Sequence, residues 1–204
     1  MVKTNPGSRR TQAQRSESTR TALLGAARRL FSEFGYARSG QEAIVSAAGV
    51  TRGALQHHFG TKQALFVAVY EEVEREVVAA VAEAAIAVGP DRPLEMLRSG
   101  CQAYLDAVLD PTVRRISAVD GPAVVPADVR QEITDRYAMG LVREAVEHAV
   151  EIGELGDTPT EPLARMLLAG VIAAAEYVAT APDPTVARVE AGATVDLLLV
   201  NLRK

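Results

Sequence analysis

The segment Thr51-Arg52-Gly53-Ala54-Leu55-Gln56-His57-His58-Phe59 splits its chemistry between two sides of a short helix. Thr51, Arg52, Gln56 and His57 share the outer face, while Ala54, Leu55 and Phe59 can turn inward. That outer face is too polar for a core helix, and it suits DNA. The major groove of B-DNA admits one α-helix, and a glutamine amide can pair bidentately with adenine. Lys62 stands three residues beyond Phe59, where a new helix can begin. A cation and a helix N-terminus together favour an anion such as phosphate.

The elements that would hold these residues are also legible. Leu23, Ala26, Ala27, Leu30, Phe31 and Phe34 recur at spacings of three and four, so a helix is expected from about Ser16. Gly35 is its expected stop. Ser39-Gly40-Gln41-Glu42 reads as a capping box for a short helix through about Ala47, with Ala43, Ile44 and Ala47 inward. Ala48-Gly49-Val50 makes a tight turn, and Thr51 caps the next helix. Two short helices joined by a short glycine-containing turn form a helix-turn-helix. Gly60 ends the second one. Thr61 then caps a long helix to about Val88, with Leu65, Phe66, Val69, Val73, Val77, Val81 and Ala84 on one face.

Further helices are expected at about 93–109, 111–118, 126–152, 160–181 and 184–202, with prolines at their starts or breaks. No segment alternates with period two, so the fold class is all-α.

Charge is unevenly placed along the 204 residues. The formal net charge is −4, which taken whole argues against a nucleic-acid partner. Residues 1–62, however, hold ten Lys and Arg against three acids, and the rest of the chain is strongly acidic. Such asymmetry suggests that one part meets a polyanion. Short helix pairs also occur in proteins that never meet DNA, but this local charge favours DNA binding. Residues 1–15 lack acids and aromatics and read as a flexible basic arm.

Other chemistries find little support. Cys101 stands alone, which excludes an intramolecular disulfide and a multi-cysteine metal site. His57, His58 and His148 have no acid–histidine cluster around them, so no metal or other cofactor is expected. There is no glycine-rich phosphate loop and no recognisable nucleophile–base pair, which argues against a helical enzyme. The longest apolar stretch, Met166 to Ala175, is too short to span a bilayer. No apolar signal segment is visible, so a cytoplasmic location without membrane contact is expected. With no Trp and 4 % aromatics, a stacking platform for single strands is also disfavoured.

Residues 19–72 carry a resemblance. AARRLFSEFGY followed by AIVSAAGVTRGALQHHFGTKQALFVAV is similar, in order and spacing, to the signature of the TetR family of transcriptional regulators. The resemblance implies an all-α homodimer on a pseudo-palindromic operator, with a three-helix DNA-binding domain joined to a divergent helical domain. That second domain commonly binds a small effector that releases the operator. An effector-released repressor is therefore expected; an activator or partner-controlled regulator is the alternative within regulation, and a helical enzyme or a nonspecific architectural DNA protein are the alternatives outside it. By the same resemblance Lys62 matches a phosphate-contacting position. Thr51 and His57 are expected at phosphates, and Arg52, Gly53 and Gln56 at bases. The family usually has Tyr at Gln56 and often a small aliphatic residue or Thr at Gln41, so these two DNA-facing positions put the base preference in question.

The expected organisation is an arm over 1–15, a DNA-binding domain over 16–70 and an effector-binding and dimerisation domain over 71–204. In the last, Met96, Cys101, Tyr104, Tyr137, Met139, His148, Met166 and Tyr177 are the larger or softer side chains, and all but Met139 are taken as candidate contacts for a largely apolar effector. Cys101 is most simply a small buried hydrophobe. Asp120, within Val119-Asp120-Gly121-Pro122-Ala123, is expected to cap a helix. Two stripes suit a dimer. One is Leu163, Leu167, Gly170, Val171, Ala174 and Val178; the other is Val186, Val189, Ala193, Leu197 and Val200.

Overall fold

The computed structural model describes residues 12–203. Most of the basic arm, residues 1–11, lies outside the described residues; 12–15 already belong to the first helix. The helices are α1 (Gln12–Arg38), α2 (Gln41–Ala48), α3 (Arg52–Phe59), α4 (Lys62–Ile86), α5 (Pro93–Ala107), α6 (111–124), α7 (127–151), α8 (Thr160–Thr180) and α9 (Pro184–Leu202). Among the described residues there is no strand, and only an isolated bridge joins Leu155 to Arg203.

Local chemistry accounts for most boundaries. Thr51 and Thr61 accept from the backbone N–H of Ala54 and Ala64, at 3.2 and 3.0 Å, and so open α3 and α4. Asp110 and Asp183 cap α6 and α9 in the same way. Gly35 interrupts α1 at φ 77°, and Gly49 ends α2 in the left-handed region at φ 66°.

Several expectations fail: on α2, Ala43 and Ala47 are exposed, and Val45 joins Ile44 on the buried side. Ser39 does not cap α2, because Gly40 occupies the N-cap position and makes no side-chain cap bond. Ser39 is buried instead, and its hydroxyl donates back to the carbonyls of Leu30 (3.0 Å) and Gly35 (2.8 Å), satisfying acceptors at the broken end of α1. Residues 119–123, outside the helices expected at about 111–118 and 126–152, are themselves helical. Arg114–Asp120 forms a π-helical stretch that runs straight into Gly121–Val124. Asp120 caps nothing: its carboxylate accepts from the backbone N–H of Tyr36 at 2.8 Å.

Two cores organise the chain. The first packs Leu23, Phe31, Ile44, Leu55, Leu65 and Phe66 among α1–α4. It continues along α4 through Val73 and Val77 to Ile116, Val125 and Ile133, so the boundary expected near residue 70 falls inside one continuous helix and one continuous core. The second core lies among α5, α7, α8 and α9, around Leu105, Val108, Val146 and Val178. Thr160–Thr180, which extends beyond the apolar run Met166 to Ala175, is long and apolar enough to cross a membrane by length and composition. Here α8 packs against α5, α7 and α9.

Polar links bind the head to α6 and the lower part of α4. Arg28 makes a two-pronged pair with Glu76 (2.7 and 2.6 Å). The Ser32 and Thr112 hydroxyls share a hydrogen bond at 3.0 Å, and Gln63 donates to the carbonyl of Val124 at 2.8 Å. Gly121 lets α6 press against α4: a Cβ there would lie 2.7 Å from a ring carbon of Tyr70.

Candidate nucleic-acid interface and ligand cavity

On α3 only Leu55 is fully buried; Ala54, His58 and Phe59 are half-buried, and Arg52, Gly53, Gln56 and His57 are exposed together on the opposite side. Thr51 is exposed at the start of the same helix, and Gln41 is half-buried at the start of α2. The seven candidate positions are thus gathered on the head, around the two short helices and the opening turn of α4. Arg52 pairs with Glu42 at 3.0 Å, both well exposed. Such a surface pair is weak, so the guanidinium can be drawn to another acceptor with little loss.

Lys62 has a more defined place. Its ammonium donates to the carbonyl of Tyr36 at 3.0 Å and sits 4.0 Å from the centre of the Tyr36 ring. Tyr36 in turn meets Phe66 edge-on at 5.1 Å, and Phe66 meets Phe31 at 5.1 Å. The lysine therefore ties the start of α4 to the residue just past the Gly35 break. An ammonium has three N–H donors, so this tie leaves it donors for a further acceptor. The aromatic cluster carries no local sequence signal, since Phe31 and Tyr36 belong to α1 while Phe66 lies on α4, beyond both short helices. His57 and His58 stack edge-to-face at 5.2 Å, and the described residues contain no group of three metal-binding side chains.

In the second domain, a cavity of about 350 Å³ opens among α4, α5, α7 and α8. Met96, Cys101, Tyr104, Tyr137 and His148 all line it. Met166 and Tyr177 do not. They are 72 % and 51 % exposed on the outer face of α8, and the Tyr177 hydroxyl donates to Glu190 of α9 at 2.7 Å. Met139 is buried and lines a neighbouring, more polar cavity of about 520 Å³. Burial pushes the Cys101 thiol up to about 11, with Asp196 adding to the effect, so it is a thiol and not a nucleophilic thiolate at neutral pH.

The residue that sequence reading missed is Glu74. It touches both cavities and sits on the inner side of α4. Its carboxylate accepts from the hydroxyls of Ser117 and Tyr70, and Tyr104 hydrogen-bonds to Ser117 behind it. No Arg or Lys forms an ion pair with it among the described residues. Burial therefore raises its pKa, and the hydroxyl contacts offset this only in part. Tyr70 and Tyr104 are also pushed up, both chiefly by burial. A lone Glu inside a long helical stripe carries no sequence signal. Only the packing of α6 on α4 reveals it.

A raised carboxyl pKa has a definite sign in stability. The ionised form is penalised in the folded chain, so that penalty is complete above the folded pKa and vanishes below the unfolded one. Tyr70, Tyr104 and Ser117 face the carboxylate, with Arg130 and Glu176 acting on the same cluster. Glu74→Gln is expected to raise Tm at pH 7.5, with the gain shrinking toward pH 4. Thermal melts across that range check this, and a gain that grows on acidification would contradict it.

The α8 stripe also needs correction. Val171 and Val178 are buried within the subunit, and Leu167 lines the cavity, while Leu163 and Ala174 are only half-exposed. The free apolar side of α8 carries Met166, Ala169, Gly170, Ala173 and Tyr177. Small residues populate both faces of the helix, so its exposed apolar side lies about one residue away from the expected stripe. On α9, Val186, Val189, Ala193, Leu197 and Val200 are all exposed.

Comparison with known proteins agrees with this architecture. Residues 23–69 match the family described as bacterial regulatory proteins, tetR family, and residues 94–202 match the tetracyclin repressor-like C-terminal domain. The crystal structure of a TetR-family transcriptional regulator from Pectobacterium atrosepticum is 30 % identical and superposes with a TM-score of 0.82, covering 95 % of this chain and 98 % of that one. SmeT, solved in complex with triclosan, is 25 % identical with a TM-score of 0.71, covering 92 % of each chain. The transcriptional regulator CymR of Pseudomonas putida is 32 % identical over 114 residues, 55 % of this chain and 56 % of CymR. AcrR of Shigella flexneri is 35 % identical over 107 residues, 52 % of this chain and 49 % of AcrR. The chain thus spans about half the length of these two curated relatives. With both halves matched and a full-length structural relative at 30 % identity, the chain belongs to the TetR family of bacterial regulatory proteins.

Proposed function

We propose that the protein is a cytoplasmic, sequence-specific transcriptional repressor that binds a pseudo-palindromic operator as a homodimer and is released by a small, largely apolar effector. The observation that carries this reading is the α3 face: Arg52, Gly53, Gln56 and His57 are exposed together, with Leu55 anchoring the helix from behind. Arg52 and Gln56 are the base readers, and Gly53 allows the backbone to approach the groove. Gln41, Thr51, His57 and Lys62 make the surrounding contacts, those to phosphate giving salt-dependent affinity without sequence information. The effector site is the cavity in which Met96, Cys101, Tyr104, Tyr137 and His148 meet.

Anisotropy titrations against DNA upstream of the protein's own gene test the reading, with random DNA as reference. Salt-dependent binding that prefers one sequence is expected; equal affinity for all sequences at fixed salt would overturn it. Gln56→Ala should alter the ranking of operator variants. Lys62→Ala should weaken operator and random DNA alike and reduce the salt slope by about one. A Gln56→Ala protein that loses the same affinity on every sequence would remove that residue from base reading.

A further inference from the structure

The cavity is long, and its two ends differ. Along α4 its lining runs from Ile86 to Glu74, about 18 Å at 1.5 Å per residue. The Ile86 end is flanked by Pro90, Pro93 and Met96, while the other end holds Glu74, Tyr104 and Thr134. At that end Glu74 has hydroxyl partners and, among the described residues, no ion-pair partner. An ionised carboxylate only accepts, so a donor entering from the cavity competes with the Ser117 hydroxyl for the same oxygen. A buried charge without a counter-charge is costly, and a donor arriving on a ligand relieves that cost. A ligand carboxylate at the same place would add a second unpaired negative charge.

Glu74 is also where the cavity touches the linkage to the head. Its partner Ser117 lies on the π-helical stretch of α6. Three residues later Asp120 holds the N–H of Tyr36, whose carbonyl receives Lys62. π-Helical insertions frequently mark functional sites.

We infer that the effector is an elongated apolar molecule with a non-anionic, hydrogen-bond-donating head group, ammonium or hydroxyl, which Glu74 receives in place of the Ser117 hydroxyl. This rests on the cavity being the effector site. The head group competes for the carboxylate, frees Ser117, and so alters the seat of α6 against α4 and, through Asp120, the position of Tyr36. A ligand shifts such an equilibrium only by its differential affinity for the two arrangements. Here that difference resides in the Glu74 contact.

A matched series on one skeleton tests this: biphenyl-4-ylmethylamine, biphenyl-4-ylmethanol and biphenyl-4-carboxylic acid, each titrated calorimetrically into the full chain at pH 7.5. The amine and the alcohol should bind at least about tenfold more tightly than the acid, and the amine should weaken operator binding. In Glu74→Gln, an isosteric change, the preference for amine over acid should collapse to within about threefold, with circular dichroism confirming the fold. Ala145→Phe, which fills the cavity, should abolish binding of all three. If all three bind the wild type through the cavity with equal affinity, or if Glu74→Gln leaves their order intact, the inference fails while the site stands. If none binds, or Ala145→Phe changes nothing, the cavity is not the site and the inference falls with it.

Discussion

A double substitution Val189→Asp and Leu197→Asp should convert the protein to a folded monomer and weaken operator binding by about a hundredfold or more. Both side chains stand clear of the subunit, 66 % and 61 % exposed, so their loss removes little from the monomer's own core. They share the outer side of α9 with Val186 and Val200, and α8 adds Met166 and Tyr177. A two-fold interface uses the same patch of both subunits, so each aspartate is introduced twice. Carboxylates buried there without partners oppose association strongly. The effect on DNA follows from linkage of two heads. Once one head is bound, the second is held at a high effective concentration, which adds about 10²–10⁴ to avidity without any new contact. Sedimentation velocity and anisotropy on the same sample check both parts. A dimer that persists with full operator affinity would place the interface on another face.

Phe31→Ala should cost about 3–5 kcal/mol, the usual range for truncating a buried phenylalanine. Phe31 is wholly buried, packed against Phe66 at 5.1 Å and Tyr36 at 5.9 Å. For a chain of this length that corresponds to a fall in Tm of roughly 6–20 °C. The loss in DNA binding should exceed what the unfolded fraction explains, because the same ring supports Tyr36, and Tyr36 holds both Lys62 and Asp120. Phe34, 40 % exposed on the same helix, is the control: Phe34→Ala should cost far less. Equal losses at the two positions would show that the aromatic cluster is not what supports the head.

The head was more legible in sequence than the rest because its signals are local. Capping threonines, glycines after short helices and a tight apolar period each act within one turn of chain, and Thr51, Thr61, Gly49 and Gly60 behave as they should. Ser39 shows the limit. Its spacing to Glu42 satisfies the capping pattern, yet burial and the broken end of α1 claim its hydroxyl first. Asp120 and Glu74 show the same limit at longer range, since their partners lie 84 and 43 residues away. Sorting Met166 and Tyr177 from Met96 and Tyr137 required knowing which side of α8 faces its neighbours. In a helix where alanine, glycine, valine and leucine occur on every side, hydrophobic period alone does not settle that phase.

The eight-residue length of α3 has an evolutionary consequence. Isolated helices shorter than about 12–15 residues are marginal in water, so α3 takes its shape from Thr51, Leu55 and the helices behind it. Its outward residues make only surface contacts, such as the weak Arg52–Glu42 pair, and little of the fold rests on them. Arg52, Gly53, Gln56 and His57 can drift, one at a time, through many chemistries without passing through an unfolded ancestor. If these residues read the operator as proposed, a lineage carrying this head can change the address it reads while keeping the sensor it obeys, through substitutions that stability opposes only weakly.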